Sequence, residues 1–365
     1  MKFIYLKEDY QIINDFSNGL AMAKRMDGRI GFLDEEGVPA IPFDFYDDNR
    51  TLALSPCFVE GLCAVVNAEG KIGYINPGGQ TVIPFIYDLA YPFLNGYAVV
   101  RKEGKYGIID KKGGVLVPFL YDFLFGPVGL DDPIYAVLNG KAGYIDRKGQ
   151  TVVDFEYDHT SDGFIGFFNG VTFLNKESTL LLVDRTGTVL YSFLKGCQPY
   201  PFCFEGGYLA LAVEDRVKRR LCFLAPDMKM DDRSLPMDRM LFFDEEVFVL
   251  RYRNETKILH KSGKLVGKGG YERIGFAEGD GLRTFKKDGL YGYFDTDWQV
   301  AIPPAYIGAG PFSSGYAFVK TRDKVGVIDR AGEWVFPPCF EYPSSFKEGI
   351  AVVCAEGGYG LLKLK

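Results

Sequence analysis

The sequence predicts an all-β protein built from about ten copies of one unit, each roughly 35–37 residues long. Two observations carry this prediction: a turn signature recurs at nearly constant spacing, and short runs of β-favouring residues lie on both sides of each turn. The chain has 365 residues, of which 47% are hydrophobic and 15% aromatic, enough for a sizeable core of strands. No linker rich in Ser, Pro or charge interrupts it, so we predict one continuous repeat domain over residues 1–365.

Each turn is opened by Asp, Asn or His and closed three residues later by Gly. An acceptor side chain at the first position and Gly at the fourth are typical of a type I turn. The pairs are Asp34 and Gly37, Asn76 and Gly79, Asp110 and Gly113, Asp146 and Gly149, Asp184 and Gly187, His260 and Gly263, and Asp329 and Gly332. In an eighth copy Asp295 opens the turn and Trp298 replaces the glycine. We therefore assign the turn Asp residues a structural role.

A short strand precedes each turn and begins with a glycine. These glycines are Gly31, Gly73, Gly107, Gly143, Gly292, Gly326 and Gly360. A glycine inside a strand is typical of a place where another backbone passes closely. The strand after the turn ends near a proline in five copies, which suits an edge or a strand end. An aromatic residue follows, at Phe45, Tyr87, Tyr121, Tyr157, Tyr271, Tyr306 and Phe340.

A third strand completes the predicted unit. It follows a Phe that stands three residues before a Gly, at Phe16, Phe58, Phe93, Phe312 and Phe346. The unit is therefore two hairpin-joined strands, a tight turn, a third strand and an aromatic-bearing connection. By the same spacing, the chain starts with the second half of a unit and stops after the first half of one. We expect these two half-units to complete each other.

These passages resemble the WG-repeat family, also called KWG repeats, a family of bacterial β-repeat proteins. The closest passages are residues 96–121 and 315–340, followed by 19–45 and 61–87. The repeats are degenerate at about residues 160–290, where the proline and most glycines are lost. The Trp that names the family is replaced by Ile30, Ile72, Tyr106, Ala142, Tyr291, Val325 and Tyr359. The resemblance implies a repeat scaffold without a generally assigned activity.

The complementary half-units favour a propeller-like array of WG-type, three-stranded β-repeats, because closure removes exposed sheet edges. Propeller blades typically carry four strands, and rings of about four to eight blades are typical, so about ten units of three strands fit awkwardly. The alternative is an open twisted β-solenoid or superhelix. We favour the propeller-like fold.

Composition excludes several classes of partner and setting. The net charge of −6 and the pI near 5.3 exclude nucleic acid and anionic membranes, which need a positive surface. No apolar stretch is long enough to span a membrane or to form the core of a signal peptide. The seven cysteines show no CxxC spacing, which indicates a reducing cytoplasm.

The sequence contains no recognisable catalytic or metal-binding motif, so we expect neither an enzyme nor a cofactor. Its two histidines are His159 and His260, and the second stands in place of a turn Asp. Carboxylate pairs such as Asp47-Asp48 and Asp131-Asp132 are frequent, and glycoside hydrolysis uses such pairs. Most Asp residues are already explained by turns.

Two functions remain. The first is a non-catalytic scaffold for protein–protein interaction that binds another protein where the repeat is broken. Residues 196–250 depart most from the pattern, and their charged residues Arg216, Arg219, Arg220, Asp231, Asp232 and Arg233 are the predicted partner-binding site. The alternative is a lectin-like protein whose recurring tyrosines bind a glycan. Recurrence in register favours packing between neighbouring repeats for those tyrosines, because a binding site usually occupies only some units.

Overall fold

The computed structural model is all-β: its described residues form 38 strands. It describes residues 1–6, 8–46, 56–125, 132–159, 166–167, 170–193, 197–203, 209–214, 219–224, 230–236, 239–243, 247–253, 255–260, 264–277, 280–355 and 358–364. The chain divides into two compact bodies. We call Met1–Phe85 with Val266–Lys365 the terminal body, and Ile86–Leu265 the central body. The predicted single domain over residues 1–365 stays a prediction.

The strands follow one another along the whole chain. The first twelve are β1 Lys2–Tyr5, β2 Tyr10–Ile13, β3 Ala21–Arg25, β4 Arg29–Leu33, β5 Pro39–Tyr46, β6 Cys63–Val66, β7 Ile72–Ile75, β8 Thr81–Tyr87, β9 Leu89–Ala90, β10 Tyr97–Lys102, β11 Lys105–Asp110 and β12 Val115–Tyr121. The next thirteen are β13 Phe123–Phe125, β14 Ile134–Leu138, β15 Lys141–Ile145, β16 Thr151–Asp158, β17 Val171–Lys176, β18 Thr179–Asp184, β19 Val189–Phe193, β20 Cys197–Cys203, β21 Leu209–Glu214, β22 Arg219–Leu224, β23 Met230–Pro236, β24 Arg239–Phe243 and β25 Val247–Tyr252. The last thirteen are β26 Glu255–His260, β27 Leu265–Gly269, β28 Tyr271–Ala277, β29 Arg283–Lys287, β30 Leu290–Phe294, β31 Val300–Tyr306, β32 Gly308–Ala309, β33 Tyr316–Thr321, β34 Lys324–Asp329, β35 Trp334–Phe340, β36 Tyr342–Pro343, β37 Ile350–Ala355 and β38 Gly358–Lys363.

The repeated unit is a four-stranded antiparallel meander, which is the form of a propeller blade. One example has the order β12-β11-β10-β9. The described part of the chain contains six four-stranded sheets, which are one unit each. It also contains two seven-stranded sheets, and each of these joins two units, so there are ten units. The sequence predicted three strands per unit. The additional strand is short in several units, as in Leu89–Ala90, Gly308–Ala309 and Tyr342–Pro343, where it lies in the predicted aromatic-bearing connection. In the units that begin with β20 and β28 it has 7 residues.

The glycine before each turn lies at a close approach between two strands. A Cβ atom on Gly107 would lie 2.8 Å from the carbonyl oxygen of Val117 on β12 and 3.0 Å from the ring of Phe119. The pairing of β11 with β12 is irregular on both sides of Ile108, which brings this backbone inward. Similar contacts with the next strand occur at Gly31, Gly73, Gly143, Gly292 and Gly326. The predicted close passage of a second backbone is confirmed.

The hydrophobic core lies between neighbouring units. In the central body, Tyr97 of β10 and Ile134 of β14 belong to one buried cluster. In the terminal body, Val327 of β34 and Val353 of β37 share another. Each buried aliphatic or aromatic side chain contributes about 1.5–3 kcal/mol through the apolar area removed from water. The contact between units therefore stabilises the array.

The two ends of the chain form one sheet in the terminal body. Strand β1 pairs antiparallel with β38, with Phe3 opposite Leu362. The Phe3 and Phe340 rings have centroids 6.0 Å apart. The carboxylate of Glu348 accepts hydrogen bonds from two backbone N–H groups of the first unit, those of Asn18 and Gly19, both at 2.9 Å. The predicted completion of one half-unit by the other is confirmed.

The degenerate part of the sequence keeps the same architecture. Strands β20–β23 form one four-stranded sheet, and β24–β27 form the next. Loss of the shared turn and proline therefore left the meander intact, because strand pairing depends on backbone groups that every residue except proline carries.

Candidate functional site

The turn carboxylates hold the turns that they open. Asp110 Oδ1 accepts hydrogen bonds from the backbone N–H groups of Lys112 and Gly114, both at 2.8 Å. The backbone N–H of Gly113 donates to the carbonyl oxygen of Asp110 at 2.9 Å. The same side-chain pattern occurs at Asp34, Asp146, Asp184, Asp295 and Asp329. The predicted structural role of these residues is confirmed.

A second set of carboxylates connects neighbouring units of the central body. Asp122 Oδ1 accepts from Lys105 Nζ at 2.6 Å, and Asp122 Oδ2 accepts from the backbone N–H of Gly140 in the next unit at 3.1 Å. Asp158 bridges Lys141 and the backbone N–H of Glu177 in the same way. The hydrogen bonds from the lysines lower the pKa of both carboxyls, so the bridges stay ionised at neutral pH. Both carboxylates therefore have a structural role.

The recurring tyrosines pack between units. Tyr87 is 3% exposed, and its ring centroid lies 6.3 Å from that of Phe119 in the next unit. Tyr121 contacts Phe155 in the same way at 6.1 Å. Burial raises the pKa of both tyrosines. Tyr157 and Tyr306 are also buried, whereas Tyr271 is half-buried and its ring contacts Phe285 and Phe294 of its own unit. Packing between units is confirmed for Tyr87 and Tyr121, and those buried rings offer no exposed face for a sugar.

The predicted partner-binding residues belong to the degenerate part of the central body. They are Arg216, Arg219, Arg220, Asp231, Asp232 and Arg233. Arg216 lies outside the described residues, as do the side chains of the other five. The backbone pairs Arg220 with Pro236, and Leu224 with Met230. Arg219 and Arg220 therefore begin β22. Asp231 and Asp232 lie near the start of β23, which pairs with the end of β22, so the two charged pairs are at opposite ends of these strands. This site stays a prediction.

The two histidines have local structural partners. The Tyr135 hydroxyl and His159 Nδ1 share a hydrogen bond of 3.0 Å. The backbone N–H of His260 donates to the carbonyl oxygen of Lys264 at 2.9 Å, as the turn-opening Asp residues do with their own loops. Within the described ranges, no group of three or more His, Cys, Asp or Glu residues is placed to hold a metal ion.

In the part of the chain that the structure describes, no helix has the length and apolar character to cross a membrane.

Two units carry an exposed, large apolar side chain near the end of the strand that follows the turn, where most other units hold a polar or small residue. We call this strand the outer strand of the unit. Ile86 on β8 is 41% exposed, and Leu120 on β12 is 57% exposed. Each stands ten residues after its turn-opening residue. By the same ten-residue spacing, the other units hold Asp44, Glu156, Leu194, Gly270, Ala305 and Cys339. The shared architecture therefore does not require a large apolar residue here.

Ile86 and Leu120 lie on neighbouring strand ends. Each is adjacent in sequence to a member of the Tyr87–Phe119 ring contact, which holds the two strands together. Both side chains are exposed beside the buried ring of Tyr87. We call Ile86 and Leu120 the apolar patch. The signal that could have found it is a comparison of equivalent positions among the repeats.

A small cavity opens between two units of the central body. Its volume is about 170 Å³, and it is lined by Asn95, Gly96, Tyr97, Ile108, Leu116, Ile134 and Arg147. Tyr97 is 5% exposed, and its hydroxyl has no hydrogen-bond partner among the described residues. Burial raises the pKa of Tyr97 to about 12, so the hydroxyl keeps its proton at neutral pH. The guanidinium of Arg147 lies 5.3 Å from the centroid of the Tyr97 ring.

The meanders, the turns and the packing between units define a propeller-like β-repeat protein. Five segments of the chain match the family model described as WG containing repeat: residues 72–106, 106–129, 143–170, 291–324 and 326–359. These five segments are similar to WG repeats, and the resemblance predicted from the sequence is confirmed. No curated protein matches the chain in sequence.

Among the similar solved structures reported below, one has a TM-score above 0.5. The chain is similar to a eukaryotic initiation factor, with 12% identity, a TM-score of 0.53, and coverage of 92% of this chain and 95% of that one. It also matches the computationally designed Ika8 protein (14% identity, TM-score 0.39, 99% of both chains covered). A third match is BamB from Moraxella catarrhalis (10% identity, TM-score 0.36, coverage of 100% and 99%). At these identities the first likeness shows the fold alone.

Proposed function

We propose that this chain is a non-catalytic scaffold that binds another protein through the apolar patch, Ile86 and Leu120. The observation that carries the proposal is the departure of these two residues from the polar or small residues that five of the six other units hold at this spacing. A position that serves only the fold keeps the character that the other units share. A large apolar residue that the shared architecture does not require is available to anchor a partner.

The energetics fit such a role. Burial of an isoleucine or leucine side chain against a partner contributes about 1.5–3 kcal/mol, so two of them supply the centre of an interface.

We place this interaction in the cytoplasm, as the cysteine pattern indicated. The described cysteines Cys57, Cys63, Cys339 and Cys354 are free thiols. Free thiols are typical of proteins kept in a reducing compartment.

The double variant Ile86→Asp with Leu120→Glu tests the proposal. Both changes copy residues that the chain carries at equivalent positions, Asp44 and Glu156, so the fold tolerates them. We expect the amount of partner captured from native extract, measured by mass spectrometry, to fall at least about tenfold, because two apolar anchors are lost.

The matched control is Val300→Thr, a change at another exposed apolar position of an outer strand, where Val300 is 50% exposed. Capture by this control should equal that of the unmodified protein. Undiminished capture by the double variant, with an unchanged melting temperature, contradicts the proposal. Loss of capture only in Arg219→Glu with Arg220→Glu would move the binding surface to β22.

A further inference from the structure

A cavity opens where two neighbouring units of the terminal body meet. Its volume is about 200 Å³. The unit β32–β35 lines it with residues 308–311, and the unit of β36, β37, β38 and β1 lines it with residues 343–346. All of its lining residues belong to the described part of the chain, so the cavity is defined by described residues alone.

The pairing of strands identifies Gly308 as an exception among the units. In each unit, one row of paired residues lies beside the hairpin that joins the second and third strands, and here it consists of Gly308, Lys320, Val325 and Phe340. In the other units, the first residue of this row is Ile12, Tyr46, Leu89, Phe123, Asp158, Cys197, Arg239, Arg273 or Tyr342. Gly308 therefore leaves without a side chain a place that carries one in every other unit of the described chain.

Gly310 lies on the same face of the inner strand, because residues two apart in an extended chain share a face. Its backbone N–H donates to the carbonyl oxygen of Phe318 at 2.8 Å, and the backbone N–H of Tyr91 makes the equivalent bond to Val99 at 3.0 Å. Gly310 and Tyr91 are thus the same position of two different units. Each stands four residues after the recurring aromatic of the strand before it.

The loss of two neighbouring side chains is particular to this unit. By the same four-residue spacing, the unit β28–β31 also has a glycine, Gly275. That unit nevertheless keeps Arg273 at the place of Gly308. In the described chain, β32–β35 is therefore the unit in which both places lack a side chain.

In the unit β9–β12 the corresponding space is filled. Leu89, at the place of Gly308, belongs to the buried cluster shared with the next unit, and Tyr91 packs against that cluster. Tyr106 belongs to the cluster as well, and its place in the row is held by the smaller Val325 at the cavity. The cavity is therefore the space of side chains that other units have and this unit has lost.

The inner wall of the cavity is apolar and largely aromatic. Phe318 and Phe346 are buried lining residues, and their rings are stacked with centroids 5.0 Å apart and planes 16° apart. Val325 is buried beside them. Apolar surface of this kind favours an apolar occupant over water.

The rim is partly open and makes no demand for a polar ligand. Pro311 and Ser344 are half-buried, so the cavity reaches the surface between the two units. The hydroxyl of Ser344 already donates to the carbonyl oxygen of Ser345 and accepts from the backbone N–H of Val352. Its hydrogen bonds are therefore made within the protein.

The size of the cavity and the repeat itself indicate the occupant. A cavity of about 150 Å³ with apolar walls is large enough for benzene, and this one has a volume of about 200 Å³. Two other units hold an aromatic side chain at the place of Gly310, namely Tyr91 and Phe125. Contact between aromatic rings also contributes more than the buried area alone. An aromatic ring therefore fits this space in size and in chemistry.

We propose that this cavity binds a single aromatic ring, which takes the place of the missing side chains at Gly308 and Gly310. The ring packs against Phe318 and Phe346, and the two glycines let it approach the inner strand. It belongs either to a free small molecule or to an aromatic side chain of a polypeptide, because both present the same chemistry. This inference does not depend on the apolar patch.

Calorimetric titration of the full chain with 4-methylphenol tests the proposal, with 4-methylcyclohexanol as the saturated analogue. 4-Methylphenol is the side chain of tyrosine as a free molecule, so it reproduces the group that Tyr91 supplies in another unit. We expect saturable binding of 4-methylphenol and at least about threefold weaker binding of the saturated alcohol, which lacks the contact between aromatic rings.

Two variants fill the cavity with side chains that the chain already uses. Gly310→Tyr copies Tyr91, and a Cβ at this position would lie 3.5 Å from the nearest carbonyl oxygen, an ordinary contact. Gly308→Leu copies Leu89. Each should weaken binding of 4-methylphenol at least about tenfold. The melting temperature of Gly310→Tyr should equal or exceed that of the unmodified protein, because filling a cavity restores packing.

The control is Gly104→Ser, a glycine substitution in a hairpin turn of the central body, which should leave binding unchanged. The proposal is overturned if 4-methylphenol does not bind or if the saturated alcohol binds as tightly. It is also overturned if the two filling variants, folded as judged by their melting temperatures, bind 4-methylphenol as well as the unmodified protein does.

Two peptides distinguish the sources of the ring. N-acetyl-Gly-Tyr-Gly amide should bind as tightly as 4-methylphenol if the natural ligand is a polypeptide side chain, and N-acetyl-Gly-Ala-Gly amide should not bind. Binding of 4-methylphenol without the tyrosine peptide assigns a free small molecule, and the proposal stands in either case. None of these results bears on partner capture by Ile86 and Leu120.

Discussion

Replacement of Gly107 by valine is expected to destabilise the protein by about 2 kcal/mol or more. A Cβ atom there would lie 2.8 Å from the carbonyl oxygen of Val117, and backbone cannot move aside as the end of a flexible side chain can. The strand pair β11 and β12 would have to separate, and both strands contribute buried residues to the cluster shared with the next unit. The free energy of unfolding, measured by urea denaturation, checks the result.

The matched control is Gly104→Ser, in the hairpin turn before the same strand. Gly104 has a φ of 80° and open space where a Cβ would lie, so a residue that tolerates the left-handed region fits. The chain itself places Ser178 at the equivalent turn position with a φ of 65°. We expect this change to cost less than about 1 kcal/mol. Equal losses of stability in the two variants would contradict the assignment of Gly107 to a close approach between strands.

Deletion of residues 1–6 is expected to produce the second large loss of stability. These residues include β1, which supplies the outer strand of the sheet that ends the chain. Leu6 is buried in the cluster between that sheet and the first unit, and its backbone N–H donates to the carbonyl oxygen of Tyr359 at 3.0 Å. Removal of β1 also uncovers the edge of β38, whose backbone groups would lose their partners.

Hydrogen exchange locates this effect. We expect the amides of Gly360, Leu361 and Leu362 to lose protection in the shortened chain, because these residues pair with β1. Amides of β11 belong to the central body and serve as the internal control, with protection unchanged. Retained protection at residues 360–362 would show that β38 does not depend on β1.

The turns and the strand glycines could be predicted from the sequence because each depends on short-range chemistry. An Asp at the start of a turn accepts backbone hydrogen bonds within four residues, as Asp110 does. The short fourth strand could not be predicted, since Leu89–Ala90 has too few residues to show an alternation of apolar and polar positions. Its pairing with β10 exists only in the folded sheet.

The candidate sites were harder to predict. Residues 196–250 were predicted to bind a partner because the shared sequence pattern is lost there. Strands β20–β23 nevertheless keep the four-stranded meander. The departure at Leu120 is a single residue inside a unit that otherwise follows the pattern closely. The contact of the Arg147 guanidinium with the Tyr97 ring joins two neighbouring units and exists only in the folded protein. Sequence spacing alone does not contain that information.

The most direct test of the proposed function is hydrogen exchange of the protein alone and in complex with its captured partner. We predict that the partner slows exchange at residues 84–87 and 117–121, which surround Ile86 and Leu120. Slowed exchange confined to β22 and β23, with the amides around Ile86 and Leu120 unchanged, would contradict the account and place the partner on the charged segment instead.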